Sequence, residues 1–264
     1  MREVLERLLA GEFSVDEALR ALDAERILGV GDVARLDPDR MRRKGVPEVV
    51  YASGKDPQTT ADLALQMMEA AGVALVSRVT DDHDAALEAA ADSSGATLER
   101  FGTGRRMLQR PAGELPERPV IGILAAGTAD VDVAEEARMI AETMGVRTIA
   151  AYDVGVAALH RLAAPLADMT KTEVDAVVVV AGMEGALPTV VGGLVAVPVI
   201  AVPTSTGYGA GGNGLAALLG MLQTCSPGVT VVNIDNGIGA GAAAGLVALR
   251  AAHSRERRPD PRAV

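Results

Sequence analysis

The side chains best suited to chemistry lie in short glycine-containing segments of the second half of the chain. Glu184 directly follows an apolar run and is flanked by Gly182 and Gly185. A carboxylate in that position can lose enough water to act as a base near neutral pH. Acidic residues are also ordinary in the first turn of a helix, so a capping role for Glu184 competes with the catalytic one.

A second candidate is the segment 127–130, which follows another apolar run and leads into a predicted helix. Backbone amides and the helix dipole favour a phosphate at such a point. The alternative is that Thr128, Asp130 or Asp132 only caps the helix, and Asp132 with Glu135 matches a capping box. The sequence leaves both roles open.

The single cysteine, Cys225, follows a helix predicted over residues 215–224. A lone cysteine is often a small buried hydrophobe, and a helix C-terminus disfavours the thiolate that a nucleophile needs. If Cys225 reacts, a cationic neighbour or a positively charged substrate has to stabilise its thiolate. His160 has two similar alternatives, because it suits either a general base or a cap at the end of a helix.

Residues 207–214, GYGAGGNG, contain five glycines and formally match G-x-G-x-x-G. The dinucleotide-binding form of that motif belongs after the first strand of a βαβ unit, whereas this segment follows the fourth predicted strand of its domain. We therefore expect a flexible loop that closes over substrate, with Tyr208 as a stacking or hydroxyl contact. Zinc-ligand spacing, a G-x-x-x-x-G-K-[ST] loop and a G-x-S-x-G elbow are missing from the sequence, which excludes several common enzyme classes.

The elements that must position these residues are five apolar runs that alternate with helical patterns. Runs that are apolar throughout are typical of parallel strands covered by helices on both faces. The pattern predicts an α/β fold with a doubly wound parallel sheet, and such sheets bind ligands at the carboxyl ends of their strands. The predicted strands span residues 120–125, 148–152, 176–181, 197–202 and 229–234.

Changes in composition predict five segments along the chain. We expect an N-terminal helical adaptor, in which Ser14 and Glu17 form a capping box, and then a small βαβ module. A proline-rich linker separates this smaller N-terminal α/β module from the catalytic domain, and a charged tail is predicted to be disordered. The segments span residues 1–45, 46–110, 111–118, 119–252 and 253–264.

Charge and composition limit the partners and the compartment. The chain has 264 residues, 49% of them hydrophobic, and a net charge of −10, which repels nucleic acid and anionic membranes. The N-terminus lacks a signal-peptide pattern and no run is long enough to span a membrane, so we expect a cytoplasmic protein.

Three motifs resemble N5-carboxyaminoimidazole ribonucleotide mutase of purine synthesis: AAGTAD at 125–130, AGMEGALP at 181–188 and VPVIAVPTSTGYG at 197–209. That mutase, PurE, has a catalytic histidine at the position of Ala186, which argues against a simple mutase here. The resemblance is closer to the LarB family of nickel-pincer cofactor biosynthesis. It is carried by RKGVPE at 43–48, YDVGVAALHR at 152–161, AGMEGAL at 181–187 and VNIDNG at 232–237.

The resemblance to LarB implies a PurE-like, flavodoxin-like three-layer domain and a specific reaction. Nicotinic acid adenine dinucleotide would be carboxylated at C5 of its pyridinium ring by CO2 or bicarbonate, and its phosphoanhydride hydrolysed to release AMP. The product would be pyridinium-3,5-biscarboxylic acid mononucleotide. The resemblance further implies Mg2+, for which Asp235 is a candidate ligand, and a homo-oligomer, since the related mutases form octamers.

By the same resemblance, Cys225 is the nucleophile and Glu184 or Asp130 the base. The expected substrate-binding residues are Gly127, Thr128, Arg43, Lys44, Asp153, Gly182, Met183, Ser205, Gly207, Tyr208, Gly209, Asn233 and Asp235. Two other functions compete with this one. They are an aminoimidazole ribonucleotide mutase, and a nucleotide-binding regulatory module that binds a dinucleotide without CO2-dependent turnover.

Overall fold

A computed structural model describes residues 2–23, 27–30 and 34–256 of the chain. It divides into two compact units, Met1–Glu99 with Arg106–Ala112, and Arg100–Arg105 with Gly113–Val264. The division after Ala112 falls within the segment predicted as a linker. Residues 257–264 of the predicted tail lie outside the described residues, and residues 253–256 are helical instead of disordered.

The first unit joins the segments that we expected to be a helical adaptor and a separate βαβ module. The adaptor is not purely helical, because it also holds a two-stranded antiparallel sheet, β1 with β2. The capping box at Ser14 is confirmed, since Glu17 N–H donates to Ser14 Oγ at 3.2 Å and Ser14 N–H donates to the Glu17 carboxylate at 2.8 Å. The elements are α1 (Arg2–Leu9), α2 (Val15–Asp23), β1 (Leu28–Val30), β2 (Ala34–Leu36), α3 (Arg40–Lys44), β3 (Val49–Tyr51), α4 (Pro57–Ala71), β4 (Val73–Ser77), α5 (Asp81–Ser94), β5 (Thr97–Phe101) and β6 (Gly104–Leu108).

A four-stranded sheet in the order β3-β4-β6-β5 includes a strand that the apolar pattern does not predict. Every residue of β6 is buried although two of its five residues are arginines. Arg106 pairs with Glu99 at 2.6 Å, and Arg105 donates to the carbonyls of Gly102 and Gly104, both at 2.8 Å. These partners compensate the buried charges, so a polar-looking segment becomes an interior strand.

The second unit is a five-stranded parallel sheet in the order β11-β10-β9-β7-β8. The order reverses at β7, which lies between β8 and β9, and this is the doubly wound arrangement that the sequence predicts. The elements are β7 (Val120–Ala125), α6 (Val131–Thr143), β8 (Arg147–Ala151), α7 (Ala163–Thr172), β9 (Val177–Ala181), α8 (Leu187–Gly192), β10 (Val199–Pro203), α9 (Leu215–Leu222), β11 (Val229–Val231) and α10 (Gly237–Glu256).

Burial on both faces explains why the central strands are apolar throughout. All residues of β7, β9 and β10 are buried. Alternate side chains such as Val120, Leu124 and Val179 join a core with residues of α7, α8 and α9. The intervening positions face α6 and α10, because successive side chains of a strand point to opposite sides.

The segment after β8 is a loop followed by an irregular turn. Asp153 has a positive φ of 57°, and a 3₁₀ turn over Val156–Leu162, distorted at Ala158, precedes α7. The regular α-helix on this side therefore begins only at Ala163.

The helices α6 and α10 approach each other closely because three glycines repeat every four residues along α10. Cβ atoms added at Gly237 and Gly241 would lie 2.1 and 2.2 Å from the carbonyl oxygens of Val133 and Ala137, and one at Gly245 would lie 2.8 Å from the Met144 methyl group. At the far end of α10, Arg255 pairs with buried Asp175 through contacts of 2.6 and 3.1 Å. None of the described helices is both long and apolar enough to cross a bilayer.

Substitution of Gly241 by alanine is expected to destabilise the protein by about 1–3 kcal/mol, because the added methyl group overpacks a backbone contact. The loss should appear although alanine is intrinsically the better helix former. Urea denaturation measures the effect. Gly113→Ala is the matched control, since it adds the same atom in open space, and equal stability of the two variants would contradict the close packing.

Candidate active site

A cavity of about 460 Å³ opens where the strand order reverses. Its walls come from the segments that follow β7, β8, β9 and β10, so four separate parts of the chain meet there. This is the edge at which the sequence predicts the site. The lining residues are Ala126, Gly127, Thr128, Ala129, Asp130, Gly155, Val156, Ala157, Ala181, Gly182, Met183, Glu184, Ala186, Leu187 and Thr206.

Asp130 is the buried polar group of this cavity, with only 4% of its surface exposed. One carboxylate oxygen accepts the backbone N–H of Gly127 at 2.9 Å, and the other accepts the Thr204 hydroxyl at 2.6 Å. The Gly127 amide is therefore occupied, which argues against a phosphate held by that group. Asp130 immediately precedes α6, whereas Asp132 is exposed and forms no capping box with Glu135.

Hydrogen bonds between the loops fix the shape of the cavity. Met183 N–H donates to the Thr206 carbonyl at 3.0 Å, and the Thr206 hydroxyl donates to the Ala129 carbonyl at 3.4 Å. Met183 adopts a positive φ of 51°, a conformation that few residues other than glycine take. Hydrogen bonds thus join the loops after β7, β9 and β10 to one another.

Glu184 lies at the rim of the cavity and is exposed, which corrects the expectation that burial between a strand and a helix desolvates it. It is not a helix cap either, because α8 begins at Leu187. Within the described residues its carboxylate forms no hydrogen bond or ion pair. Glu184 therefore remains available to a bound molecule.

Cys225 is exposed, so the alternative of a buried small hydrophobe is wrong. It does not line the 460 Å³ cavity. The adjacent Ser226 donates to the Thr189 carbonyl at 2.7 Å, and Thr189 donates to Thr224 at 2.9 Å. These contacts place Cys225 beside α8, whose first residue, Leu187, forms part of the cavity wall.

Two of the predicted binding residues from the glycine loop line a smaller cavity of about 180 Å³ that also contains Met183 and Glu184. They are Gly207 and Tyr208, and the Tyr208 side chain is 82% exposed. Gly209 begins a 3₁₀ turn and lies outside both cavities.

The polar residues predicted around β10 and β11 form hydrogen bonds with backbone N–H groups. Ser205 N–H donates to Asp235 at 2.8 Å, and Asn233 accepts the following backbone N–H of Ile234 at 2.9 Å. Neither Asp235 nor Asn233 lines the 460 Å³ cavity.

Three other predicted binding residues also lie outside this lining. Asp153 pairs with Arg161 at 2.5 Å. Arg43 and Lys44 belong to α3 of the first unit, where Arg43 contacts Asp37 at 2.5 Å. The Arg43 guanidinium holds the pKa of Asp37 below its ordinary value.

Sequence reasoning missed a buried network on α6. Tyr152 donates a hydrogen bond to Glu135, whose other oxygen accepts Arg138 at 2.7 Å. Burial, together with the bond to Glu135, raises the pKa of Tyr152, so its hydroxyl stays protonated as a donor. The apparent capping box drew attention to Glu135, but one of its partners is Arg138 one turn along α6 and the other is Tyr152, 17 positions away in sequence.

Sequence reasoning also missed Thr204, Thr206 and Gly155. The hydroxyl-rich segment PTST after β10 offered a signal for the two threonines. A Cβ on Gly155 would lie 2.8 Å from the Ala126 carbonyl, so its loop comes too close to the β7 loop for any other residue.

Mg2+ stays a prediction of the resemblance to LarB. Within the described residues, no three side chains of His, Cys, Asp or Glu come together to hold a metal ion. Asp235, the candidate ligand, is already bonded to the Ser205 amide. We therefore assign no step to a metal.

Two family models match the chain in succession. Residues 28–99 match the LarB/PurE-like N-terminal domain, and residues 120–259 match AIR carboxylase. The chain belongs to the LarB family. LarB and AIR carboxylase families are carboxylase or mutase-type enzymes, and the PurE-like domain of this LarB-family protein is the second unit described above.

Two relatives are similar to this chain over different lengths. An uncharacterized protein of Methanocaldococcus jannaschii is 40% identical over 255 residues, which cover 94% of this chain and 96% of the relative. The N5-carboxyaminoimidazole ribonucleotide mutase of Pyrococcus horikoshii is 34% identical over 125 residues, covering 46% of this chain and 67% of the mutase. The likeness to the uncharacterized protein thus covers nearly the whole chain, whereas the likeness to the mutase is limited to about one domain.

We expect the Cys225 thiol of the native protein to react with a chromogenic disulfide reagent about as fast as the thiol of the urea-unfolded chain, because the residue is exposed. Absorbance of the released thiolate measures both rates. A Cys225→Ser variant gives the background, and protection of the native thiol by a hundredfold or more would contradict its exposure.

Proposed function

We propose that this LarB-family protein carboxylates C5 of the pyridinium ring of nicotinic acid adenine dinucleotide with CO2 and hydrolyses the phosphoanhydride. The products are AMP and pyridinium-3,5-biscarboxylic acid mononucleotide. The observation that supports this most is the charge of the cavity. Asp130 and Glu184 line it, and none of the described lining residues is Lys, Arg or His. Such a lining favours a cationic ring.

The first step is addition of the Cys225 thiolate to C4 or C6 of the ring. The electron pair of the broken ring bond moves to the pyridinium nitrogen, and C5 becomes the carbon of an enamine. C5 then attacks CO2 and forms a carbon–carbon bond. Loss of the C5 proton and departure of the thiolate restore the aromatic cation.

Glu184 suits the role of base for the C5 proton. Its carboxylate is at the cavity rim and has no partner among the described residues, so it is free to accept a proton. Asp130 has both oxygens engaged by Gly127 and Thr204. We therefore assign removal of the C5 proton to Glu184. Asp130 supplies a negative charge near the cationic ring.

Cys225 constrains where the ring sits. Because this residue lies beside α8 and outside the cavity lining, the proposal places the ring at the α8 end of the cavity, near Leu187. Water attacks the phosphoanhydride in a separate step.

A second candidate function is the aminoimidazole ribonucleotide mutase, which the AIR carboxylase match favours. Ala186 lines the cavity where the mutase pattern has its histidine, and the described lining holds no other histidine. Carboxylates alone would then have to transfer every proton. We also expect the protein to be a homo-oligomer, which light scattering would measure.

Cys225→Ala is expected to abolish formation of the mononucleotide heavier by one carboxyl group from nicotinic acid adenine dinucleotide and bicarbonate, because the ring can no longer be activated for attack on CO2. The fold should persist because the side chain is exposed. Mass spectrometry follows the products, and circular dichroism follows the fold. Ser254→Ala, on an exposed part of α10, is the control. Turnover that is unchanged in Cys225→Ala would refute the nucleophile, and turnover of the aminoimidazole substrate instead would favour the mutase.

The reduced dihydropyridine form of the dinucleotide is expected to bind about tenfold more weakly than the oxidised form, because it lacks the ring charge that Asp130 and Glu184 attract. Isothermal titration with Cys225→Ala, which cannot form the adduct, gives both affinities. Equal affinities would show that the cavity does not recognise the ring charge.

A further inference from the structure

A side-chain bridge crosses the end of β9 and joins the loops of two strands that are not neighbours. Asp130 follows β7 and Thr204 follows β10, while β9 lies between them in the sheet. The Thr204 hydroxyl donates to Asp130 at 2.6 Å. Both residues are buried, with 4% of Asp130 and 1% of Thr204 exposed.

The bridge passes over Gly182, the first residue after β9. A Cβ at that position would lie 2.7 Å from the Thr204 hydroxyl oxygen and 2.3 Å from the Thr206 carbonyl. Glycine therefore leaves the space that the bridge occupies. The main chain of Thr204 is also fixed, because its N–H donates to the Ala181 carbonyl at 3.0 Å and continues the sheet.

Among the described residues, the Thr204 hydroxyl donates its hydrogen bond to the Asp130 carboxylate. Asp130 in turn lines the cavity, so the direction of its carboxylate decides where negative charge faces a bound ring. The remaining bond of Asp130, to the Gly127 amide, lies within its own loop and does not fix that loop to the rest of the sheet.

We infer that Thr204 is a positioning residue, which aims the Asp130 carboxylate into the cavity by a bridge across the end of β9. This inference rests on the proposed function for its kinetic consequence. Thr204 itself does not line the cavity and contacts no substrate. It acts through Asp130, in a site where small errors in geometry reduce the rate strongly.

Thr204→Val is the informative variant because it keeps the shape of the side chain and removes the hydroxyl. We expect kcat for carboxylation to fall about tenfold or more, with KM changed less than about threefold. Thr204→Ser restores the donor and should recover most of kcat. Thr170→Val makes the same change at an exposed threonine of α7, whose hydroxyl only bonds the Leu166 carbonyl, and should leave kcat unaltered.

A double-mutant cycle separates positioning from a general loss of stability. In an Asp130→Asn background, Thr204→Val should lower kcat less than about twofold. The carboxylate that Thr204 orients is already absent from that background. The inference would be overturned if Thr204→Val lowered kcat as much in that background as in the wild-type protein, or if Thr204→Ser did not recover kcat. Melting temperatures of all variants show whether each is folded at the assay temperature.

Crystal structures of Thr204→Val and Thr204→Ser test the inference without any assay. We expect the Asp130 carboxylate to leave its present direction in the valine variant and to keep it in the serine variant. If the wild-type protein makes no product from the dinucleotide, the proposed function fails, while these structures still decide the bridge. An Asp130 carboxylate that is unmoved in Thr204→Val overturns the inference.

Discussion

A buried carboxylate that needs partners from two separate loops is the interaction on which the cavity depends. Asp130 is withdrawn from water and accepts one hydrogen bond from its own loop and one from the loop after β10. A buried charge that loses a partner costs several kcal/mol, so both loops are held where they can satisfy it. The glycine after β9 is a consequence, because any side chain there would enter the path of the bridge. The positions of the loops after β7 and β10 thus depend on the buried carboxylate of Asp130.

The sheet was predictable from sequence because its physical signal is strong. Strands buried on both faces have to be apolar at every position, and the runs at 120–125 and 176–181 show this directly. The same signal failed for β6, since Arg105 and Arg106 are buried with partners that a local pattern does not reveal. Pattern reasoning succeeds where burial alone decides the residue type.

The location of the site was predictable for a different reason, because ligands bind at the reversal of strand order and the loops there follow from the strands. The state of each side chain was not predictable. Glu184 is exposed although its flanking glycines and preceding strand suggest burial, and Cys225 is exposed although lone cysteines are usually buried. Exposure and partners depend on which distant segments fold against a residue. Thr204 shows this most clearly, since its role exists only through Asp130, 74 positions away in sequence.

The composition of the cavity limits the chemistry that this LarB-family protein can perform. A described lining with two carboxylates, no cationic side chain and Ala186 in place of a histidine is able to accept protons, but it offers no positive charge to stabilise a developing negative charge. The substrate then has to supply the electron sink itself. A pyridinium ring does so, because its nitrogen takes up the electron pair when a thiolate adds. An aminoimidazole has no such charge, and a site of this kind would have to acquire a general acid before it could carry that reaction.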